Sequence, residues 1–392
     1  MKRAAALFLS IALLFLSGCA GNAPDSAPVG EEAVSPAAAE PASLEVPGLT
    51  VVSAMEKQFA TQFDVYYCEG GYKYILIGED RYLTVPEGAE VPAGLDAEVT
   101  LLPQPLENIY LAATGAMALF DAMDALSAVR LAGRDASGWY IANAVEALER
   151  GDMLFAGKYS EPDYELLLDS NCSLAIENTM ISHTPKVKET LEMLGIPVLV
   201  ERSSYESHPL GRTEWIKLYA ALLDREQEAE EVFARKAAVM DMLRDFPNTG
   251  KTIALFYVDS SGAMQVRSSD DYISKIFVLA GGRNAFSDLT IAESGRANVN
   301  ITMEQFYATA MDADYLIYNS SISGAEVDTV EKMLEKCPLL FDCRAVLEGN
   351  VWWLGEETYQ YSDRLDDLIR DVHRMLTGET GEMIFLHHME GQ

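Results

Sequence analysis

The chain has 392 residues, 49% of them apolar and 23% charged, with 29 Lys and Arg against 61 Asp and Glu and a formal charge of −32. That composition belongs to a globular chain long enough for two cores, and it excludes a disordered chain and a disulfide-dense miniprotein. It also argues against a nucleic-acid partner, which needs a basic footprint. In the first 45 residues only Lys2 and Arg3 oppose five carboxylates, so the acidity belongs to the remainder, where it repels anionic lipid headgroups.

The amino terminus reads as an address. Lys2 and Arg3 precede an apolar run from Ala4 to Leu16, too short to span a bilayer and suited to a signal h-region. Leu16-Ser17-Gly18-Cys19 resembles a bacterial lipobox, in which the peptidase cleaves before the Cys and the thiol carries a diacylglycerol. Residues 1–18 are therefore expected to form a lipoprotein signal peptide, with Cys19 lipidated and the protein anchored outside the cytoplasm on the bacterial cell membrane. Residues 19–45, rich in Ala, Pro, Glu, Ser and Gly, form a flexible tether. Four further cysteines remain at 68, 172, 337 and 343. Cys337 and Cys343 are close enough for a local bridge, but four cysteines allow three pairings, and no Cys or His spacing suggests structural zinc.

Residues 46–105 predict an added β segment. Phe63–Tyr67 and Tyr72–Ile77 flank Gly70-Gly71, a hairpin signature, and Tyr82–Val85 follows. From residue 106 short apolar strands alternate with helical periods. Ile109–Ala112, Ser173–Ile176 and Pro197–Val200 read as strands, and Ala116–Ala125 and Pro185–Leu194 as helices. The second half, 248–380, repeats the pattern, with strands at Lys251–Val258, Tyr315–Tyr318 and Val351–Leu354 and helices at Tyr272–Ala280 and Leu365–Leu376. This alternation predicts an α/β fold of two Rossmann-like lobes, 106–223 and 248–380, with parallel sheets covered on both faces. Between them Trp215, Leu218, Tyr219 and Leu222 sit at helical spacing. Asp224, with Gln227 three residues on, looks like the start of a single linking helix over 224–247, a rod of roughly 33 Å. His387-His388 fall in a polar tail.

A lipoprotein signal, a tether, two α/β lobes and one linking helix resemble the class III substrate-binding proteins of ABC importers, which serve iron–siderophore, haem and cobalamin uptake. Local patterns carry the likeness over about 105–378. Pro162-Asp-Tyr-Glu165-Leu-Leu-Leu168 followed by Leu174-Ala-Ile176, and Leu194-Gly-Ile-Pro-Val198, look like elements of the first lobe. Leu279-Ala-Gly-Gly282-Arg-Asn-Ala-Phe286, Asn300-Ile-Thr-Met-Glu304-Gln-Phe306 and Asp314-Tyr-Leu-Ile317 look like those of the second. Cys172-Ser173 departs from the Pro-Asp often found there, and residues 49–105 are foreign to the core fold. The resemblance implies a monomer that hands an iron chelate to an ABC permease and, through it, to an ATPase subunit. It implies docking of Glu165 and Glu304, one exposed carboxylate per lobe, onto permease arginines.

In such a fold the ligand lies outside the carboxyl ends of the strands. The candidates by position are Thr114, Tyr159, Glu177, Asn178, Thr179 and Met180 in the first lobe. In the second they are Tyr257, Arg267, Trp353, Tyr359 and Tyr361. Aromatics suit a planar or catechol-like chelate and Arg an anionic one. Trp352 and Trp353 must face opposite ways in a strand, one toward the core. His183 with Glu177 and His208 with Glu206 keep bare-metal capture open, as is cobalamin, and so is a sensor or adhesion module of the same fold. No nucleophile elbow, HExxH, dinucleotide or P-loop motif is present, so no enzyme, cofactor or resident metal is expected.

Overall fold

The computed structural model describes residues 44–390 other than 245, 247, 290–297 and 324–326. The expected signal peptide, Cys19 and nearly all of the tether lie outside the described residues.

The first lobe is a five-stranded, all-parallel sheet. Its spatial order is Val198–Glu201, Ala175–Asn178, Ile109–Leu111, Val129–Ala132, Leu154–Phe155. Successive side chains alternate between two apolar layers. Ile109, Leu111, Val129, Ile176 and Leu199 pack toward the helices Met117–Ala122 and Pro209–Leu223. Tyr110, Leu131, Ala175 and Val198 meet Leu167, Val187 and Leu191 of the helices Tyr164–Asp169 and Pro185–Met193. The order of the strands reverses at the adjacent pair Ile109–Leu111 and Ala175–Asn178, a topological switch point.

The second lobe has Thr252–Val258, Tyr315–Asn319 and Val351–Leu354 in parallel, with Arg283–Asn284 on the far side of Thr252–Ile253. Its switch point therefore lies between Thr252–Val258 and Tyr315–Asn319. Antiparallel strands Met264–Arg267 and Asn298–Ile301 extend one edge. Leu386–His388 extends the other, so the histidine tail is an edge strand belonging to this lobe, beyond the boundary expected at 380. His387 packs on Trp353 and His388 on Trp352, at centroid distances of 4.6 and 4.8 Å. The four cysteines described are free thiols, Cys337 and Cys343 among them.

Helix Pro209–Leu223 is buried on nearly every face, with Glu214 and Lys217 buried among its apolar residues. It touches the first lobe through Trp215 and Tyr219, and Leu210 belongs to the core of the second lobe. Asp224 does not start the next helix. It ends this one in the left-handed conformation, φ 56°, which a short polar side chain tolerates. The predicted linking rod follows as Glu226–Ala237 and Val239–Leu243, meeting at a tight turn at Ala238.

The added segment is a five-stranded sheet in chain order, Val51–Ala54, Phe63–Cys68, Lys73–Ile77, Asp80–Val85 and Val99–Pro103. It is antiparallel up to the last strand, which joins in parallel. Phe63, Val65, Ile75 and Ile77 share one core with Trp215 and Tyr219. Polar bonds fix it further. The buried carboxylate of Glu214 accepts from the backbone N–H of Gln58, Phe59 and Ala60 at 2.8, 2.7 and 2.8 Å. Glu206 accepts from those of Thr61 and Gln62 and from the Trp215 indole, each at 3.0 Å. At the other end of the helix Lys73 donates to the Ala221 carbonyl at 2.7 Å and pairs with Asp224 and Glu226, both at 2.6 Å. The sheet is thus tied to both ends of the central helix.

Removing the Glu214 carboxylate strands three amide donors, while Lys217, 3.3 Å from it, keeps Glu230 at 2.8 Å. Glu214→Ala should cost roughly 3–5 kcal/mol in urea unfolding. The exposed Glu228→Ala should stay within about 0.5 kcal/mol. A Glu214→Ala loss below about 1 kcal/mol would show that the clamp does not bear on stability.

Candidate functional site

The first-lobe switch point and the carboxyl ends of Tyr315–Asn319 and Val351–Leu354 open toward one cleft between the lobes. On the first-lobe side a cavity of about 620 Å³ is lined by Ala112 and Thr114, by Gly133, Arg134 and Asp135, by Lys158 and Tyr159, and by Asn178 and Met180. Gly133 is required there, since a Cβ would stand 2.9 Å from the Ala112 Cα. A second cavity of about 480 Å³ is lined by Arg134, Ser137, Gly138 and Tyr140 from the first lobe and Ser320, Ser321, Glu356 and Tyr359 from the second. Arg134, Ser137 and Gly138 belong to both, so the two form one groove.

Arg134 occupies the junction. Its Nε donates to Thr114 Oγ1 at 3.3 Å and its guanidinium lies 5.6 Å over the Tyr359 ring. Asp135 does not neutralise it at short range. That carboxylate accepts from Ser137 Oγ at 2.6 Å and the Gly138 amide at 3.2 Å, and these bonds, the Ser137 hydroxyl first, hold its pKa below the usual value. Lys158 adds a second cation, shared with Glu161 at 3.0 Å. Phe155 and Met180 are about half exposed at the rim of the first cavity, an apolar wall beside the cations.

The lobes are bridged along one side of the groove. The Tyr140 amide donates to Gln360 Oε1 at 2.9 Å, Gln360 Nε2 to the Gly138 carbonyl at 2.9 Å, and the Tyr361 hydroxyl to the Tyr140 carbonyl at 2.6 Å. The Tyr140 hydroxyl donates to Glu356 at 2.8 Å, a bond that pushes the phenol up to about 12. Ser362 Oγ reaches the Gly115 carbonyl.

Of the residues expected from sequence, Thr114, Tyr159, Asn178 and Met180 meet in the first cavity and Tyr359 in the second. Tyr361 belongs to the bridge. Asn178 caps the next turn by accepting from the Met180 amide at 2.9 Å. Thr179 points away, into a separate cavity. Tyr257 accepts from Asn298 at 3.2 Å, Arg267 pairs with Asp271 at 3.4 Å and Trp353 lies against His387; none of the three lines the groove. Glu165 and Glu304 are both exposed in the first turn of a helix, the first capped by Asp163 and the second by a Thr302–Gln305 capping box. The helix of Glu304 follows strand Asn298–Ile301 of the second sheet, and that of Glu165 follows a short ladder, Gly157–Lys158 with Glu161–Pro162, outside the first sheet. Arg134, Ser137 and Tyr140 went unseen in the sequence because strand Val129–Ala132 did; Lys158 and Gln360 were missed as well. The signal was Gly133, closing a short apolar run.

His208 is structural. Its ring stacks on Phe59 at 4.3 Å, and its Nδ1 accepts from the Leu210 amide at 3.2 Å as a helix cap. Burial lowers its pKa to about 4. Among the described residues no group of three His, Cys, Asp or Glu side chains is gathered for a metal.

Residues 118–358 match the family described as periplasmic binding protein. An uncharacterized lipoprotein of Methanocaldococcus jannaschii is 23% identical over 326 residues, 81% of this chain and 75% of its own. Among solved structures, a periplasmic haem-binding protein from Pseudomonas aeruginosa superposes with a TM-score of 0.56 at 16% identity, covering 74% of this chain and 99% of that one. An Fe3+-hydroxamate transport protein from Saccharomonospora viridis gives 0.52 at 18%, covering 69% and 93%. The chain belongs to the periplasmic binding protein family, in its class III form of two α/β lobes and a linking helix. Members of this family are extracytoplasmic solute-binding subunits that work with an ABC permease and ATPase. No described helix is long and apolar enough to cross a membrane.

Glu177 is fully buried in the apolar layer beneath the first cavity, and neither carboxyl oxygen has a hydrogen-bond partner. Burial pushes it from 4.5 up to about 8. The fold therefore prefers the protonated acid. Its contribution is full below pH 4.5 and falls by about 1.4 kcal/mol per pH unit until the folded pKa is passed. Glu177→Gln should make the protein more stable at pH 8 and flatten this part of the stability profile, read by urea unfolding at pH 5 and pH 8. An unchanged profile would mean that Glu177 is ionised in the native state.

Proposed function

We propose that this chain is the solute-capturing subunit of an ABC importer, lipid-anchored through Cys19, and that its ligand is an anionic, conjugated iron chelate of the siderophore or haem type. The observation that carries this reading is Arg134, a cation held at the junction of the two cavities between Thr114 and the Tyr359 ring. In a chain of charge −32 an exposed guanidinium with no carboxylate at salt-bridge distance among the described residues, at the carboxyl edge of a sheet, favours an anionic ligand there. Lys158 adds to the field, and Tyr159, Tyr359, Phe155 and Met180 offer surfaces for a flat or aromatic chelate. The haem-binding and hydroxamate-transport proteins of like fold support the same class of ligand.

Capture proceeds with limited closure, because the central helix is splinted by the added sheet and the lobes already touch through Tyr140 and Gln360. Glu165 and Glu304 stand one on each lobe. Two separated carboxylates give orientation as well as attraction to permease arginines. Both are also comfortable at helix N-termini, so only a transport assay separates the two roles.

Arg134→Ala should weaken binding of an anionic ferric chelate by at least about tenfold without moving the melting temperature, by calorimetric titration. Equal affinity would remove the cleft assignment. The double reversal Glu165→Lys with Glu304→Lys should abolish uptake in cells and leave ligand affinity unchanged. Normal uptake would sink the docking assignment.

A further inference from the structure

A third cavity lies apart from the groove, also at the carboxyl edge of the first lobe but beyond its outer strands. It occupies about 490 Å³ between the segment after Ala175–Asn178, the segment after Val198–Glu201 and the hairpin turn of the added sheet. Asp80 of the added sheet forms part of its wall, and Gly78 beside it backs the Arg202 side chain.

Its centre is Arg202. The guanidinium lies 5.1 Å over the Tyr205 ring and against Gly78, where a Cβ would stand 2.4 Å from Nη1. Gly78 has φ +60°, so the turn and the close approach both call for glycine. The Arg202 Nε is buried without an acceptor, and among the described residues no carboxylate pairs with the side chain. Carboxylates outnumber basic groups two to one in this chain, so an arginine fixed by packing and left without an anion points to one supplied from outside. A simple anion does not suit the rest of the lining. Among the described residues no cation pairs with the carboxylates of Asp80 and Glu189, while Lys188 is shared with Glu192 at 3.8 Å. The cavity asks for a negative end at Arg202 and a positive end at Asp80 and Glu189.

We propose that this cavity is a second binding site, separate from the chelate groove, for a small zwitterion bearing a carboxylate and an ammonium, of the free α-amino acid class. The carboxylate takes the Arg202 fork and the ammonium the facing acids. The added sheet then has a function besides splinting the central helix, since it completes this site.

The test is calorimetric titration of the full-length protein in a mild detergent with a panel of free α-amino acids. Acetate and methylammonium serve as the separate halves. At least one amino acid should bind saturably and more tightly than either half. Arg202→Gln should weaken it at least about tenfold and Arg202→Lys by less. Both variants should keep the wild-type melting temperature, and Arg134→Ala should leave the affinity unchanged. The proposal is overturned if no amino acid binds up to roughly 10 mM. Equal affinity in Arg202→Gln, loss in Arg134→Ala instead, or acetate binding as tightly as any amino acid would each overturn it too. Loss in Arg134→Ala would put the amino acid in the groove; the other outcomes leave chelate capture there untouched.

Discussion

Five consecutive backbone amides, from residue 58 to residue 62, are held by two buried carboxylates, Glu206 and Glu214. Charged acceptors make such bonds roughly twice as strong as neutral ones, and burial makes their loss costly. Because Glu214 lies on the helix that contacts both lobes, this clamp ties the added sheet to the element on which the interlobe geometry rests. Lys73 repeats the device with opposite charge at the far end of that helix. Asp371 uses it once more, accepting from the amides of Ile384, Phe385 and Leu386 to seat the last strand.

This rigidity gives the groove its character. A central helix splinted along one side resists bending, so a ligand in the groove would meet a surface largely shaped in advance. Preorganisation of this kind lowers the ordering cost of binding. Arg134 is the part of that surface where charge is concentrated. The bridge of Tyr140, Gln360 and Tyr361 closes one side of the groove.

The alternation of strands and helices was legible because buried strands such as Thr252–Val258 and Tyr315–Asn319 are unbroken apolar runs. Strand Val129–Ala132 was not, because Arg130 interrupts it; its guanidinium leaves the sheet to bond the carbonyls of Gly151 and Asp152 at 2.6 and 2.5 Å. With that strand went Arg134 and the loop that carries the groove. Asp224 misled for a related reason, since an acidic residue can open a helix or close one in the left-handed conformation, and Lys73 from a distant strand decided the matter. The clamp itself leaves no local signature. Glu206 and Glu214 meet partners about 150 residues away, and a sequence rich in carboxylates does not mark which two are buried.

The most direct test follows Trp139, which is nearly buried beside the groove with its indole donating to the Arg134 carbonyl at 3.2 Å. Tryptophan fluorescence of the full-length protein in a mild detergent would be titrated with ferric catecholate and hydroxamate chelates, haem and ferric citrate, with inner-filter controls and Trp139→Phe alongside. Saturable quenching by one chelate class at submicromolar concentration, absent in Trp139→Phe, is the predicted result. No response to any of them, with calorimetry equally silent, would contradict chelate capture in the groove.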